Sequence, residues 1–331
     1  MAEMMTEDKG QKQTKKVRLS STVILFIFLL VMSVSFAFLS KDFYSIYNIT
    51  SMLTNIAFSG IVAGTLTLVM IMGGLDISIG GNIAFTSCLI AYIYNLENAL
   101  PIVAIIIIGL LLGTAIGAFN GFIITRLNLN PIITTLGTMA ITRGMGYVLT
   151  KSRSILILDN VIGFIGGVLL SRGEIAKFPF PLVLFIIIYA SLAITMSKSK
   201  FGRKIYCIGA NQEAAKLSGI NVNKVKFIVY LICGIAASLS GIILTGQTAV
   251  GMPQHGRGME LDVITAVLLG GTSLYGGKGN ILGTLAGVLI LGVLYNGFTM
   301  IGFRYVHIRV FQGVILILVV SLYEVREKKT Y

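Results

Sequence analysis

Two histidines and three cysteines are the scarcest chemistry-bearing side chains in this 331-residue sequence, and their placement argues against catalysis. Cys88, Cys207 and Cys233 are spaced for neither a metal site nor a disulfide framework. Ser273 could be sought as a nucleophile with His307 as its base. They fall at opposite ends of different apolar segments, so about 30 Å of bilayer would separate groups that need hydrogen-bond reach. His255 reads as an interfacial polar residue. The segment before Lys278 invites comparison with the phosphate loop GxxxxGK[ST], but Thr272 stands where its first glycine is needed and Gly279 where Ser or Thr is needed. No nucleotide site, metal or other cofactor is therefore expected in the chain.

The carboxylates speak to energy coupling. Ion-coupled carriers place Asp, Glu or His near the middle of a span, whereas Asp76 is read here in a turn between spans and Glu97, Glu260 and Asp262 at outer ends. A sodium site of carbonyls and hydroxyls stays open to a secondary carrier. Asn55, Asn120, Gln247 and Asn296 lie inside apolar segments, where an amide needs a helix partner or a hydrated path. Asn120, Gln247 and Asn296 are the candidates for lining such a path, with interhelical hydrogen bonding as the competing reading.

The elements that must position these residues are helices in a membrane. Charged residues make up 12% of the chain against about 25% in soluble domains. The apolar share is 55%, with 38 glycines besides. Residues 43–75, 77–96, 98–125, 178–197, 227–256 and 279–303 carry no Asp, Glu, Lys or Arg. Each is long enough to cross a hydrocarbon core of about 30 Å, and the continuous apolar pattern fits helices rather than barrel strands. The expected fold is all-α and polytopic, with about ten spans near 19–39, 54–72, 79–95, 101–124, 131–150, 181–197, 226–247, 259–275, 281–302 and 307–323. Residues 1–18 form a basic tail, 19–325 the membrane domain and 326–331 a second tail. With both termini in the cytoplasm, 17 of the 26 basic residues fall inside, as the positive-inside rule requires. The net charge of +13 is scattered between spans rather than gathered on one face, so no nucleic-acid partner is expected. The apolar run at 161–170 is too short to cross and reads as an outer helix or re-entrant piece.

Two segments echo each other: GGLDISIGGNI from Gly73 to Ile83, and GGTSLYGGKGNI from Gly270 to Ile281. Gly73, Gly74, Asp76 and Gly80, with Gly270, Gly271, Gly276 and Gly277, read as structural turns in which glycine permits positive φ and close helix approach, and Asp76 as a helix cap near Ser78. Convergent turn chemistry or an internal duplication would each produce the echo. The loop at 198–226 is basic and carries a short helix, with Asn211 as N-cap, helix formers from Gln212 to Leu217 and Gly219 as the stop.

The run EAAKLSG at 213–219 resembles the EAAxxxG loop by which ABC importer permeases dock on their ATPase subunits. With GGLDISIG at 73–80 and GGTSLYGGKGNILGTLAGVLILGVLYNG at 270–297, the chain is similar, over roughly residues 45–325, to permeases of the ribose, xylose and galactose type. Leu75 departs mildly, since relatives usually carry Ile there. The resemblance implies a permease of the bacterial inner membrane importing a monosaccharide or similar small polar solute, paired with a second copy or a close paralogue around a central path. It implies an extracytoplasmic sugar-binding protein and cytoplasmic ATPase copies that hold ATP and Mg, docked at Asn211, Glu213, Ala214, Ala215 and Gly219. An ion-coupled secondary sugar carrier is the alternative, with an intramembrane enzyme or a channel behind it.

Overall fold

A computed structural model describes residues 21–97, 100–169, 174–175 and 179–328. The expected tail at 1–18 lies outside them. The chain builds α1 (Ser21–Leu39), α2 (Ile46–Ile71), α3 (Ile79–Tyr94), α4 (Ile102–Arg126), α5 (Pro131–Thr150), α6 (Asn160–Gly166), α7 (Phe180–Lys198), α8 (Lys200–Ala210), α9 (Gln212–Leu217), α10 (Val222–Thr248), α11 (Met259–Leu269), α12 (Ile281–Met300) and α13 (Tyr305–Lys328). Among the described residues, strand is confined to two-residue pairs: β1 (Ile155–Leu156) with β4 (Val250–Gly251), and β2 (Val168–Leu169) with β3 (Glu174–Ile175), both antiparallel. This is a multi-pass all-α membrane protein. Six helices, α1, α2, α4, α7, α10 and α12, are long and apolar enough to cross a bilayer, and α3 and a stretch of α13 are shorter apolar helices. Residues 326–328, expected in a tail, continue α13.

Glycine sets how closely the helices approach. Gly109, Gly113, Gly117 and Gly121 repeat every four residues along one face of α4, which packs on α10. A side chain on Gly117 would meet the Tyr230 carbonyl at 2.5 Å, and one on Gly234 the Gly117 backbone at 2.7 Å. The two helices cross backbone to backbone, the small-residue packing that gives attraction between helices where lipid supplies no hydrophobic drive.

Two segments read as complete spans are shorter as helices. At 1.5 Å per residue, α11 rises only about 16 Å and α3 about 24 Å. The first turn of α3 starts deep inside the bundle: Asn82 Nδ2 donates to the Gly234 carbonyl (3.0 Å), and Gly234 is the thirteenth of the 27 residues of α10. The chain reaches α3 through residues 73–78, which hold a turn at Gly73 and another closed on Ser78, so the expected turn covers 73–78 and residues 79–83 already belong to α3. Asp76 rides on this entering segment at 1% exposure. Its carboxylate accepts from the Ser78 N–H (2.9 Å) and hydroxyl (2.6 Å), closing a local turn ahead of α3. Asp76 thus lies in the turn between α2 and α3, as expected, but that turn is buried among the helices.

Residues 151–169 cover the other end of the bundle. Asp159 caps α6 by accepting from the N–H groups of Val161 (2.8 Å) and Ile162 (3.2 Å), and the Gly166 backbone rests on that of Gly246 in α10. The pairing of β1 with β4 ties this cover to the chain leaving α10.

Candidate functional site

The loop between α7 and α10 folds as two helices fixed at every joint. Ser199 Oγ accepts from the Gly202 N–H (3.0 Å) to start α8. Asn211 Oδ1 accepts from the Ala214 N–H (2.9 Å) to start α9, and Gly219, at φ +78°, ends it. Glu213 pairs with Lys216 (2.8 Å), and Lys226 Nζ donates to Gln212 Oε1 (2.8 Å), tying α9 to the base of α10.

The outward face of α9 differs from the expected one. Ala214 and Glu213 are exposed and nothing stands within 4 Å of a side chain added to Gly219, but Ala215 is 4% exposed and belongs to the main core. Only one face of a six-residue helix can point away from the bundle, and Ala215 lies on the other. The side chain that projects is Leu217, 90% exposed, which sequence reasoning treated only as a helix former. A large apolar side chain in a helix whose other exposed residues are polar or alanine is the available signal.

Beneath α8 the two echoed glycine segments meet. The Gly277 N–H donates to the Ile71 carbonyl (2.8 Å) where α2 ends, and Tyr206 of α8 donates to the Gly279 carbonyl (2.8 Å). A Cβ on Gly209 would land on the Ile71 carbonyl oxygen and within 2.6 Å of the Gly277 nitrogen, so α8 seats directly on both segments. Gly73, Gly271, Gly276 and Gly277 take positive φ, while Gly74, Gly80 and Gly270 serve close approach instead. The α8–α9 unit is therefore in direct contact with the end of α2 and the chain leading into α12.

Farther in, Ser78 Oγ accepts from Asn120 Nδ2 (2.8 Å) and Asn120 Oδ1 accepts from Thr138 (2.6 Å), joining the entry of α3 to α4 and α5. Asn120 is fully buried in this chain of bonds and lines no described cavity. Replacing it with Leu removes two buried hydrogen bonds at about 0.5–1.5 kcal/mol each and puts an apolar side chain against two hydroxyls, although Ser78 keeps Asp76 and Thr138 keeps the Thr134 carbonyl. We expect Asn120→Leu to lower the thermal midpoint of the detergent-solubilised protein by several degrees; an unchanged midpoint would contradict the network.

A cavity of about 580 Å³ opens between α2, α11, α12 and α13, within the range of about 300–1,000 Å³ typical of small-molecule sites. Its polar wall includes Asn48, Asn55, His255, Asp262, Asn296 and Arg309. Asn296 and Asn48 exchange amide hydrogen bonds (3.0 and 2.8 Å). Arg309 Nη1 grips both oxygens of Asp262 (3.0 and 2.9 Å), and Ser87 Oγ shares a hydrogen bond with His255 Nδ1 (2.7 Å). Gln247 lies behind the wall and reaches it through Asn55 (2.7 Å). Of the three amides singled out by sequence, the structure brings Asn296 to the cavity, Gln247 next to it and Asn120 elsewhere. Ser273 and His307 stay apart: Ser273 Oγ caps the Tyr275 N–H (3.1 Å) at the α8 end of the bundle, while His307 meets the Phe303 ring near the start of α13.

The family model described as "Branched-chain amino acid transport system / permease component" matches residues 48–320. The chain belongs to this permease family. It is 36% identical over 323 residues to the ribose import permease protein of Bacillus subtilis (strain 168), covering 96% of this chain and 98% of that protein. To the ribose import permease protein of Escherichia coli (strain K12) it is 38% identical, over 89% and 91% of the two chains. The L-arabinose ABC transporter permease protein of Azospirillum brasilense is 29% identical over 91% and 87%. No solved structure matches the chain. As members of a transport family, this permease and its relatives move solutes rather than transform them, and the α8–α9 unit and the cavity are the parts of its fold to read for that purpose.

Proposed function

We propose that this permease is the membrane subunit of a binding-protein-dependent ABC importer for a monosaccharide, working as a homodimer or with a close paralogue in a bacterial inner membrane. The observation that carries the reading is α9: a capped, rigidly seated EAA helix that holds Leu217 out of the bundle. Glu213, Ala214, Leu217 and Gly219 form the contact with a cytoplasmic ATPase that carries ATP and Mg, while Asn211 and Ala215 set the helix in place. An extracytoplasmic binding protein delivers the sugar to the opposite end. Asn296, and Gln247 through Asn55, belong to the sugar's path; Asn120 holds the helices around it. The names of the relatives support a pentose or hexose as solute.

The reading is tested by reconstituting the permease with its ATPase and binding protein and measuring ATP-driven uptake of D-ribose, L-arabinose and D-fructose. Uptake of at least one is expected, and uptake of none would overturn the sugar reading.

Ten segments cross in this scheme, α1 to α5, α7 and α10 to α13, with α3 and α11 completed by non-helical chain and both termini cytoplasmic. Reporter fusions at Lys41, Lys151 and Lys216 should read outside, outside and inside. A cytoplasmic signal at Lys151 would contradict the arrangement.

A further inference from the structure

Two charged groups near the middle of the bundle stand unmatched. Arg143 is the only charged residue of α5, and its Nη2 is buried without a hydrogen-bond partner. Glu260, in the first turn of α11, buries its Oε2 in the same condition. They face the same spot: a Cβ on Gly80, in the first turn of α3, would run into Glu260 Oε2 and come within 3.1 Å of Arg143 Nη2 and 2.7 Å of the Gly256 carbonyl. Asp262, two residues on, faces away and closes a bidentate ion pair with Arg309. One acid of α11 is thus satisfied by its arginine, while the other stops short of its own.

Charged atoms withdrawn from water without partners are costly, and the cost grows in a membrane interior. What completes this pair must accept from a guanidinium and donate to a carboxylate while sitting between them. A hydroxyl does both, and neighbouring hydroxyls on one ring serve both groups at once. The surroundings suit a transient occupant. Two short helices, α3 and α11, begin side by side here after non-helical entries, the arrangement in which transporters place solute sites near mid-depth. Arg143 is half-buried beside the exposed Ala140 and Gly144 of α5, so its side chain runs from the surface of α5 to the covered Nη2.

We propose that Arg143 and Glu260, brought together over Gly80, form a mid-depth subsite that binds hydroxyl groups of the sugar in transit, with water holding the place between cycles. The proposal rests on the importer reading and names the contact that reading lacks. Its test uses the complete complex and whichever of D-ribose, L-arabinose and D-fructose the unmodified complex imports fastest. Glu260→Gln and Arg143→Gln should each lower uptake at least tenfold in a complex that still co-purifies with its ATPase. With Cys88, Cys207 and Cys233 replaced, a Glu260→Cys variant should react with a small water-soluble thiol reagent. That reaction should slow several-fold with sugar-loaded binding protein and ATP, and not with sugar-free binding protein and ATP. Uptake within twofold of normal in both glutamine variants, or labelling indifferent to the sugar, would overturn the subsite and leave the importer reading standing. A complex that fails to assemble in both glutamine variants would assign the pair to structure and overturn it as well. If the unmodified complex imports none of the three sugars, the importer reading itself fails, and the subsite with it.

Discussion

Leu217→Asp should release the ATPase from an otherwise intact permease. Leu217 is 90% exposed, so its replacement removes almost nothing from the fold. Full burial of a leucine in a partner's groove contributes about 1.5–3 kcal/mol, and a carboxylate in the same groove adds a desolvation cost. With each 1.4 kcal/mol worth about tenfold in affinity, docking weakens on the order of a hundredfold. Co-purification of the ATPase and uptake should both collapse while the thermal midpoint of the permease stays within about a degree. Normal co-purification would mean that α9 is an ordinary surface helix. Ala215→Trp, which the sequence alone would suggest for the same purpose, tests something else. The 4% exposure of Ala215 leaves no room for an indole, and overpacking costs about 1–3 kcal/mol or more, so that variant damages the fold as well as the contact.

The second large effect is expected at Gly209. Its missing side chain lets α8 lie against the Ile71 carbonyl and the Gly277 nitrogen, and a valine there would push apart the hydrogen bond that joins the end of α2 to the second glycine segment. Backbone atoms cannot swing aside as a side chain can, so α8 must lift. Gly209→Val should cut uptake by at least tenfold and lower the thermal midpoint. As a control, Gly302→Ala, between α12 and α13, meets open space and costs only about 1 kcal/mol for a non-glycine residue at positive φ, so it should stay near normal in both measurements. Equal behaviour of the two variants would contradict the claim that α8 is mechanically joined to α2 and α12.

Much of this arrangement is legible in the residues because the governing forces are local. Charge-free stretches mark the long helices, since a bilayer penalises each charge separately. Asn211, the run to Leu217 and Gly219 write the capped helix α9 in order, and the structure draws it with those bounds. What sequence could not supply is depth and facing. The connection at 73–78 looks like a surface turn when only its polarity is read, and packing alone buries Asp76 there. The short α11 is hidden in the sequence because Leu274 and Tyr275 follow soon after Val267, Leu268 and Leu269, while Gly270 and Gly271 stop the helix after Leu269 with little effect on the hydropathy. Ala214 and Ala215 are identical as residue types, and only packing separates the exposed one from the core one. Asn120 and Asn296 are likewise both amides in apolar helices, and the neighbours across the bundle decide that one closes a buried network while the other borders a cavity.

The burial of Asp76 also bears on energy coupling, because a buried acid among membrane helices is what an ion-coupled carrier would display. Here its carboxylate is held by Ser78 within the bonds that join α3, α4 and α5, and the family of the chain is one of transport permeases. The two energy sources separate cleanly in proteoliposomes containing the permease, its ATPase and binding protein, with ATP enclosed and ionophores added to abolish proton and sodium gradients. Sugar uptake should continue with ionophores and stop when the enclosed ATP is replaced by a non-hydrolysable analogue. Uptake that survives the analogue and disappears with the ionophores would contradict the account.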